Sequence, residues 1–195
     1  WQTVTDSGCT YNENMLIDNE GRIWLFYLRS PGSNQPIYMK VIDSDGYVYK
    51  TEQVIATASS QVSDEYQTIR AELNKKTGDV WIVFQGYDGI QNVGEFIIFD
   101  DTAGVKQAET IIGTSGAVYA PKLASDSSGV MWMTWNTGMA GGSDSYASFI
   151  RYNSDGTKLD DDPTQYETAG FVINTDVAID KQNRAWLIYE KSDSS

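Results

Sequence analysis

The sequence predicts an all-β chain assembled from repeats of one four-stranded antiparallel unit, and three observations carry that reading. The octet SDSSGVMW at 125–132 has cousins at 17–24 (IDNEGRIW), 74–81 (NKKTGDVW) and 179–186 (IDKQNRAW), so Trp24, Trp81, Trp132 and Trp186 recur at intervals of 57, 51 and 54 residues. A second turn follows each of the first three: DSDG at 43–46, DDTAG at 100–104 and NSDG at 153–156. From first-turn to second-turn glycine the separations are 25 (21 to 46), 26 (78 to 104) and 27 (129 to 156), a phase that chance does not keep. No segment carries a helical period. A repeat near 50 residues holding two tight turns points to a β-propeller.

Local chemistry accounts for each element in turn. NMLID, IRAELN, PKLASD and TDVAID lead into the first turn as innermost strands. RIWLFYL, DVWIVFQ, VMWMTW and RAWLIY follow it, rich in β-branched and aromatic residues and apolar on both faces, as a strand covered on both sides requires. PIYMKVID, GEFIIFDD and YASFIRYN read as third strands, and the more polar YVYKTEQVI, VKQAETII and TKLDDDPTQYE as outer fourth strands. Asp, Asn, Ser and Gly gather between the runs, where hairpin turns need a positive-φ position. The register repeats upstream: SGCTYNENMLIDNEGRIW (7–24) and SGAVYAPKLASDSSGVMW (115–132) align without a gap. Cys9 falls opposite Ala117 and is expected to be a small buried residue, not a reactive thiol.

These units divide one domain, 1–195, into repeats of approximately 5–57, 58–113, 114–168 and 169–195, the last incomplete. The chain stops after the fourth Trp strand, and WQTV at 1–4 reads as the outer strand of a preceding unit. About four blades are therefore expected, as part of a larger propeller or of one completed by a second copy or a partner. Open apolar edges would otherwise aggregate.

Composition excludes several functions. Fourteen Lys plus Arg against twenty-seven Asp plus Glu leave a net charge of −13, which repels phosphate backbones and anionic lipid. No apolar run approaches the ~18–20 residues of a membrane span. Nucleic-acid binding and membrane insertion are thus not expected. With no histidine, His-based acid–base catalysis, His-containing triads and His-ligated metals are excluded. A lone cysteine forms no internal disulfide. Low lysine content and Ser/Thr/Asn/Gly-rich turns suggest an exported protein, extracellular, at the cell surface or periplasmic.

The octet resembles the Asp-box of sialidase-like propellers, S-x-D-x-G-x-x-W. Ser125, Gly129 and Trp132 fall in register, whereas Ser127 stands at the Asp position and the acid comes one place early, at Asp126. It is more similar to the D-x-x-G-x-x-W repeats of exported bacterial propellers, and that resemblance covers almost the whole chain. It implies that Asp18, Asp126 and Asp180 tie their own turns, with Asn74 in the second unit. It also implies that the four tryptophans pack between blades and that the turns lie on the face away from any active site. Sialidase activity would need three arginines gripping a carboxylate. Of arginines 22, 29, 70, 151 and 184, Arg22 and Arg184 sit on the turns and are expected to be exposed on the wrong face.

Recognition is expected on the opposite face, where the loops RSPGSNQP (29–36), GYDGIQNVG (86–94) and NTGMAGGSDSY (136–146) vary while the turns stay alike. Three residues after each Trp comes an aromatic: Tyr27, Phe84, Trp135 and Tyr189. Blade packing accounts for them better than sugar stacking, with Trp135 and Tyr189 the two expected to be partly exposed. The next position gives Leu28, Gln85, Asn136 and Glu190. The expected ligand contacts are Arg29, Gln85, Tyr87, Asp88, Trp135, Asn136, Tyr189 and Glu190. Asp88, Asp144, Glu65 and Glu190 could serve glycoside hydrolysis, but no spacing selects a catalytic pair. No cofactor or metal is expected: Asp43/Asp45, Asp100/Asp101 and Asp160–Asp162 lack calcium-loop spacing. The function that emerges is a non-catalytic module binding carbohydrate or protein. The alternatives are a fragment of a propeller glycoside hydrolase or polysaccharide lyase, and an assembly protein whose open edges drive oligomerisation.

Overall fold

The computed structural model describes residues 11–29, 35–58, 69–112, 117–137, 145–166 and 171–192. Its regular elements are all β-strands. The first sheet comprises β1 (Tyr11–Ile17), β2 (Ile23–Leu28), β3 (Gln35–Ile42) and β4 (Val48–Ala58). The second comprises β5 (Arg70–Leu73), β6 (Val80–Tyr87), β7 (Asn92–Phe99) and β8 (Val105–Ile111). The third comprises β9 (Val118–Ser125), β10 (Met131–Thr137), β11 (Tyr146–Tyr152) and β12 (Thr164–Tyr166), and a two-stranded sheet of β13 (Phe171–Ile179) and β14 (Ala185–Ser192) follows. Strand order within each sheet is chain order, antiparallel throughout. These are β-propeller blades, and Trp1–Val4, Cys9, Glu65 and Asp144 lie outside the described residues.

The blades stack in sequence order because each Trp strand is apolar on both faces. Trp24, Phe26, Leu28, Ile37 and Met39 of the first blade meet Val80, Ile82, Phe84, Ile97 and Phe99 of the second. The opposite face of the second blade, with Trp81, Val83, Phe96 and Ile98, meets Val118, Leu123, Met131, Met133, Trp135 and Tyr152 of the third. Burial of this kind stabilises by about 25 cal/mol per Å² of apolar surface. The two ends of the stack stay uncovered: Met15 (62% exposed) and Ile17 (60%) on the first blade, Trp186 (55%) and Ile188 (62%) on the fourth.

A single hairpin geometry builds the turns. The Asp18 amide bonds the Arg22 carbonyl (3.0 Å) and the Gly21 amide bonds the Asp18 carbonyl (3.1 Å), and the same pair recurs from Asp43, Asp100, Asp126, Asn153 and Asp180. This is a type I turn closed by a left-handed residue, which is why glycine fills the fourth place in Gly21, Gly46, Gly129 and Gly156. The second unit departs from the pattern twice. Its first turn is one residue longer, Asn74 to Asp79. In DDTAG the left-handed residue is Ala103 (φ 58), not Gly104.

An antiparallel meander puts the β1–β2 and β3–β4 turns at one end of a blade and the β2–β3 loop at the other. At the turn end, neighbouring blades tie to one another: Asn74 Nδ2 donates to the Gly129 carbonyl (2.9 Å), and Asn183 Nδ2 to Ser127 Oγ (2.7 Å). Arg22, expected to be exposed, is instead buried, because Asp18 and the Tyr49 ring enclose its guanidinium.

This packing yields a prediction. Gly46 (φ +85) has open space around its missing Cβ, whereas a Cβ on Gly129 (φ +87) would lie 2.8 Å from Lys76 Cβ in the next blade. Gly46→Ala should cost only the left-handed strain, about 1–2 kcal/mol. Gly129→Ala should cost about 2–4 kcal/mol, since the neighbouring turn must also move. Equal urea midpoints for the two variants would contradict the inter-blade contact.

Candidate functional site

β5 packs on β1 and β9, and β9 on β13, so the first strand of every sheet lines the central axis. Three of them, β1, β9 and β13, show an irregularity near the loop end where the second strand is paired: the register shifts between Tyr11 and Asn14, opposite Thr134/Asn136, and between Ile173 and Thr175, whereas the described part of β5 pairs regularly. Ala120 (φ 48) and Asn174 (φ 55) are left-handed there. Such bulges re-aim side chains and collect near functional sites.

Four residues before the turn Asp or Asn, the inner strands carry Asn14, Arg70, Lys122 and Asp176. They pair with Phe26, Val83, Thr134 and Ile188 on the second strands. Two places further toward the loop end, on the same face, stand Leu28, Gln85, Asn136 and Glu190. The same two-position frame therefore holds Asn/Leu in the first blade, Arg/Gln in the second, Lys/Asn in the third and Asp/Glu in the fourth. Asn14 Oδ1 accepts the Ala71 amide (2.9 Å), and Asn174 Nδ2 donates to Glu190 Oε2 (3.2 Å). Gln85 (1% exposed) has neither amide atom bonded, and Asn136 (3%) has an unbonded Oδ1. Thr175 Oγ, facing the third blade, is likewise buried without a partner. A buried polar atom left unpaired costs about 1–3 kcal/mol, so this concentration at one end of the axis needs a reason.

Burial and the Arg70 charge push the Lys122 ammonium down to about 8, with Asp176 opposing them. Burial pushes the Glu95 carboxyl up to about 8, reinforced by Glu109 and by the Asp88 charge. Glu95 sits on β7 and Glu109 on β8, the outer half of the second blade, so this hydrogen-bonded carboxyl pair stands away from the axis.

The sequence-derived contacts divide. Gln85 and Asn136 come into the axial frame, and Glu190 occupies the equivalent place on the uncovered face of the fourth blade. Arg29 is engaged elsewhere: with the Tyr27 hydroxyl it holds Glu52, and it lies over the Tyr38 ring (4.4 Å) on the outward face of the first blade. Tyr87 and Asp88 belong to the exposed β6–β7 hairpin. Asp88 caps its own turn through the Ile90 (2.8 Å) and Gln91 (2.9 Å) amides, which hold its carboxyl below the ordinary range. Trp135, expected to be partly exposed, is 1% exposed, because it closes the seam between the second and third blades. Tyr189 is 38% exposed and lines a groove of about 230 Å³ with Tyr166, Ala185 and Leu187. Asp43 and Asp100 each use Oδ1 on turn amides and Asp160 holds Arg151, and no cluster of three or more potential metal ligands occurs among the described residues. Sequence reasoning missed Arg70, Lys122 and Asp176. The signal was available in the repeat alignment, as a polar position that varies inside a constant frame.

Neither a family model nor a curated protein matches this chain. Solved structures do. A protein of unknown function from Dyadobacter fermentans superposes with a TM-score of 0.64 at 12% identity, over 96% of this chain and 58% of its own. An endo-arabinase from Bacteroides thetaiotaomicron gives 0.54 at 10% identity, over 92% and 69%. An alpha-L-arabinofuranosidase from Lactobacillus brevis gives 0.52 at 8%, over 92% and 64%. The chain is thus similar in fold to propeller glycoside hydrolases and spans 58% of the length of the first of these structures.

Proposed function

We propose that this chain is a carbohydrate-recognising propeller module of an exported protein, acting without catalysis through the loop end of its axis. The observation that carries this reading is the buried Gln85 amide with both atoms unpaired and the buried, unpaired Asn136 Oδ1, at equivalent places in successive blades. Amides that accept and donate side by side suit vicinal hydroxyls, and a ligand would satisfy groups that the fold leaves unsatisfied. The resemblance to D-x-x-G-x-x-W repeats of exported propellers supports the location, and the likeness to an endo-arabinase and an alpha-L-arabinofuranosidase supports the ligand class by analogy of fold. The uncovered end faces suit further blades or a second copy, which would make the surroundings of the axis more enclosed.

Screening the purified chain against a saccharide array is expected to return binding that Gln85→Ala or Asn136→Ala weakens by about tenfold, with no loss of melting temperature. A blank array sinks the proposal. The catalytic alternative, a portion of a glycoside hydrolase or polysaccharide lyase, draws on the same fold likeness. Polysaccharide turnover abolished by Glu190→Gln or by Asp88→Asn would favour it instead.

A further inference from the structure

We infer that Arg70 and Lys122 form an anion-binding site on the propeller axis, and that the saccharide recognised beside Gln85 and Asn136 carries a carboxylate or sulfate group. This deepens the carbohydrate reading and rests on it.

The surroundings of the two cations carry the inference. Arg70 and Lys122 hold the same repeat position on adjacent inner strands, β5 and β9, which pack against each other. In a chain of net charge −13 they are two of only fourteen basic residues, and the frame sets them side by side. Neither forms an ion pair among the described residues, whereas Arg22, Arg29, Lys106, Arg151 and Arg184 all do. Among the described residues, Arg70 donates only to the adjacent Ile69 carbonyl (3.2 Å). Other charges face this region without forming an ion pair with either cation. Glu72, on the same face of β5, is directed at the Ser125 amide (3.4 Å), and Asp176 on β13 accepts the Val177 amide (2.8 Å). The Lys122 ammonium is weakened to about 8 by burial and by Arg70 despite Asp176. Two half-buried cations held together with no ion-pair partner among the described residues destabilise a fold, and groups that destabilise a fold in this way gather where a ligand is bound.

An anion placed there gains charge-assisted hydrogen bonds from a planar guanidinium and an ammonium. On the same blade faces, one step toward the loop end, Gln85 and Asn136 stand ready for neutral hydroxyls. That combination, cation beside amide in two consecutive blades, matches a sugar bearing an acidic substituent. It gives a neutral sugar nothing to place on the cations.

Calorimetric titration of the whole chain tests this with a galacturonate tetrasaccharide, a sulfated chondroitin tetrasaccharide, cellotetraose and inorganic sulfate. The expected result is that one of the acidic tetrasaccharides binds about tenfold or more tightly than cellotetraose, the better one identifying the group. Lys122→Met and Arg70→Met should each remove that preference. Lys122→Met should also melt no lower than the parent, because it deletes an unpaired half-buried charge. Arg70→Gln replaces Arg70→Met if the latter does not fold. Affinity of the parent should fall as pH rises through 8, and Lys122→Met should lose that response. If acidic and neutral sugars bind alike and both variants leave binding unchanged, the anion site is overturned while carbohydrate recognition stands. If sulfate alone binds, or nothing does, this inference and the carbohydrate reading fall together.

Discussion

Asp18→Ala should destabilise the protein by about 3–5 kcal/mol, the cost of removing one partner from a buried, fully used ionic cluster. The Asp18 carboxylate, 7% exposed, accepts four hydrogen bonds: from the Glu20 amide (2.9 Å), the Arg22 amide (2.9 Å), Arg22 Nε (2.7 Å) and Trp24 Nε1 (2.8 Å). Its loss strands a buried guanidinium and the indole of a tryptophan with no exposed surface. Burial alone would raise this carboxyl, but Trp24 and the Arg22 amide and guanidinium outweigh it and hold it below its ordinary 3.8. The contribution is therefore complete above pH 3.8 and disappears as pH falls through the lower folded value. Asp180 provides the internal control. It accepts the same four bonds, from Gln182, Arg184 twice and Trp186, but its Trp186 is 55% exposed on the uncovered face of the last blade. Asp180→Ala should cost only a small part of what Asp18→Ala costs. Urea unfolding of both variants decides it, and equal losses would mean that burial does not govern the turn motif.

Glu95→Gln should stabilise the protein in alkaline solution by about 1–2 kcal/mol, some 3–6 °C, allowing for the solvent that still reaches the pair. The Glu95 carboxyl is raised from 4.5 to about 8 by burial, with the hydrogen-bonded Glu109 and the charge of Asp88 adding to the effect. Between those two values the folded chain holds a proton that the unfolded chain has released. Stability of the parent consequently falls as pH rises from 4.5 to 8 and levels off above. Glutamine keeps the hydrogen bond to Glu109 without the titration, so its advantage should be near zero at pH 4.5 and full beyond pH 8. Melting temperatures across that interval provide the check. A difference constant with pH would show that Glu95 is not protonated in the fold.

The contrast between the two acids bears on how far residues can be read without coordinates. Asp18 belongs to a motif local in sequence: a turn acid, a left-handed glycine three places on and a tryptophan six places on lie within one hairpin, and their bonds follow from its geometry. Glu95 and Glu109 sit on different strands of a blade whose sequences carry no common signature, and only the β7–β8 pairing brings them together. The same division explains Trp135. Its apolar character was legible, but whether it faced a ligand or a neighbouring blade depended on what covered the strand, and that is set by the position of the third sheet.

What the amino-acid order determined by itself was the repeat: the strands, the turn type with its glycines, and the sharing of one face by both sets of turns, because all of these arise from interactions within a few tens of residues. It also marked the position four past each Trp, where Gln85 and Asn136 stand. Tertiary structure alone decided that these two side chains are buried with both amide atoms of Gln85 and the Oδ1 of Asn136 unpaired, that Arg29 is already claimed by Glu52, and that Arg70 and Lys122 share the axis. Those facts depend on which blade packs against which, a long-range arrangement in which each side chain's partner comes from a different repeat.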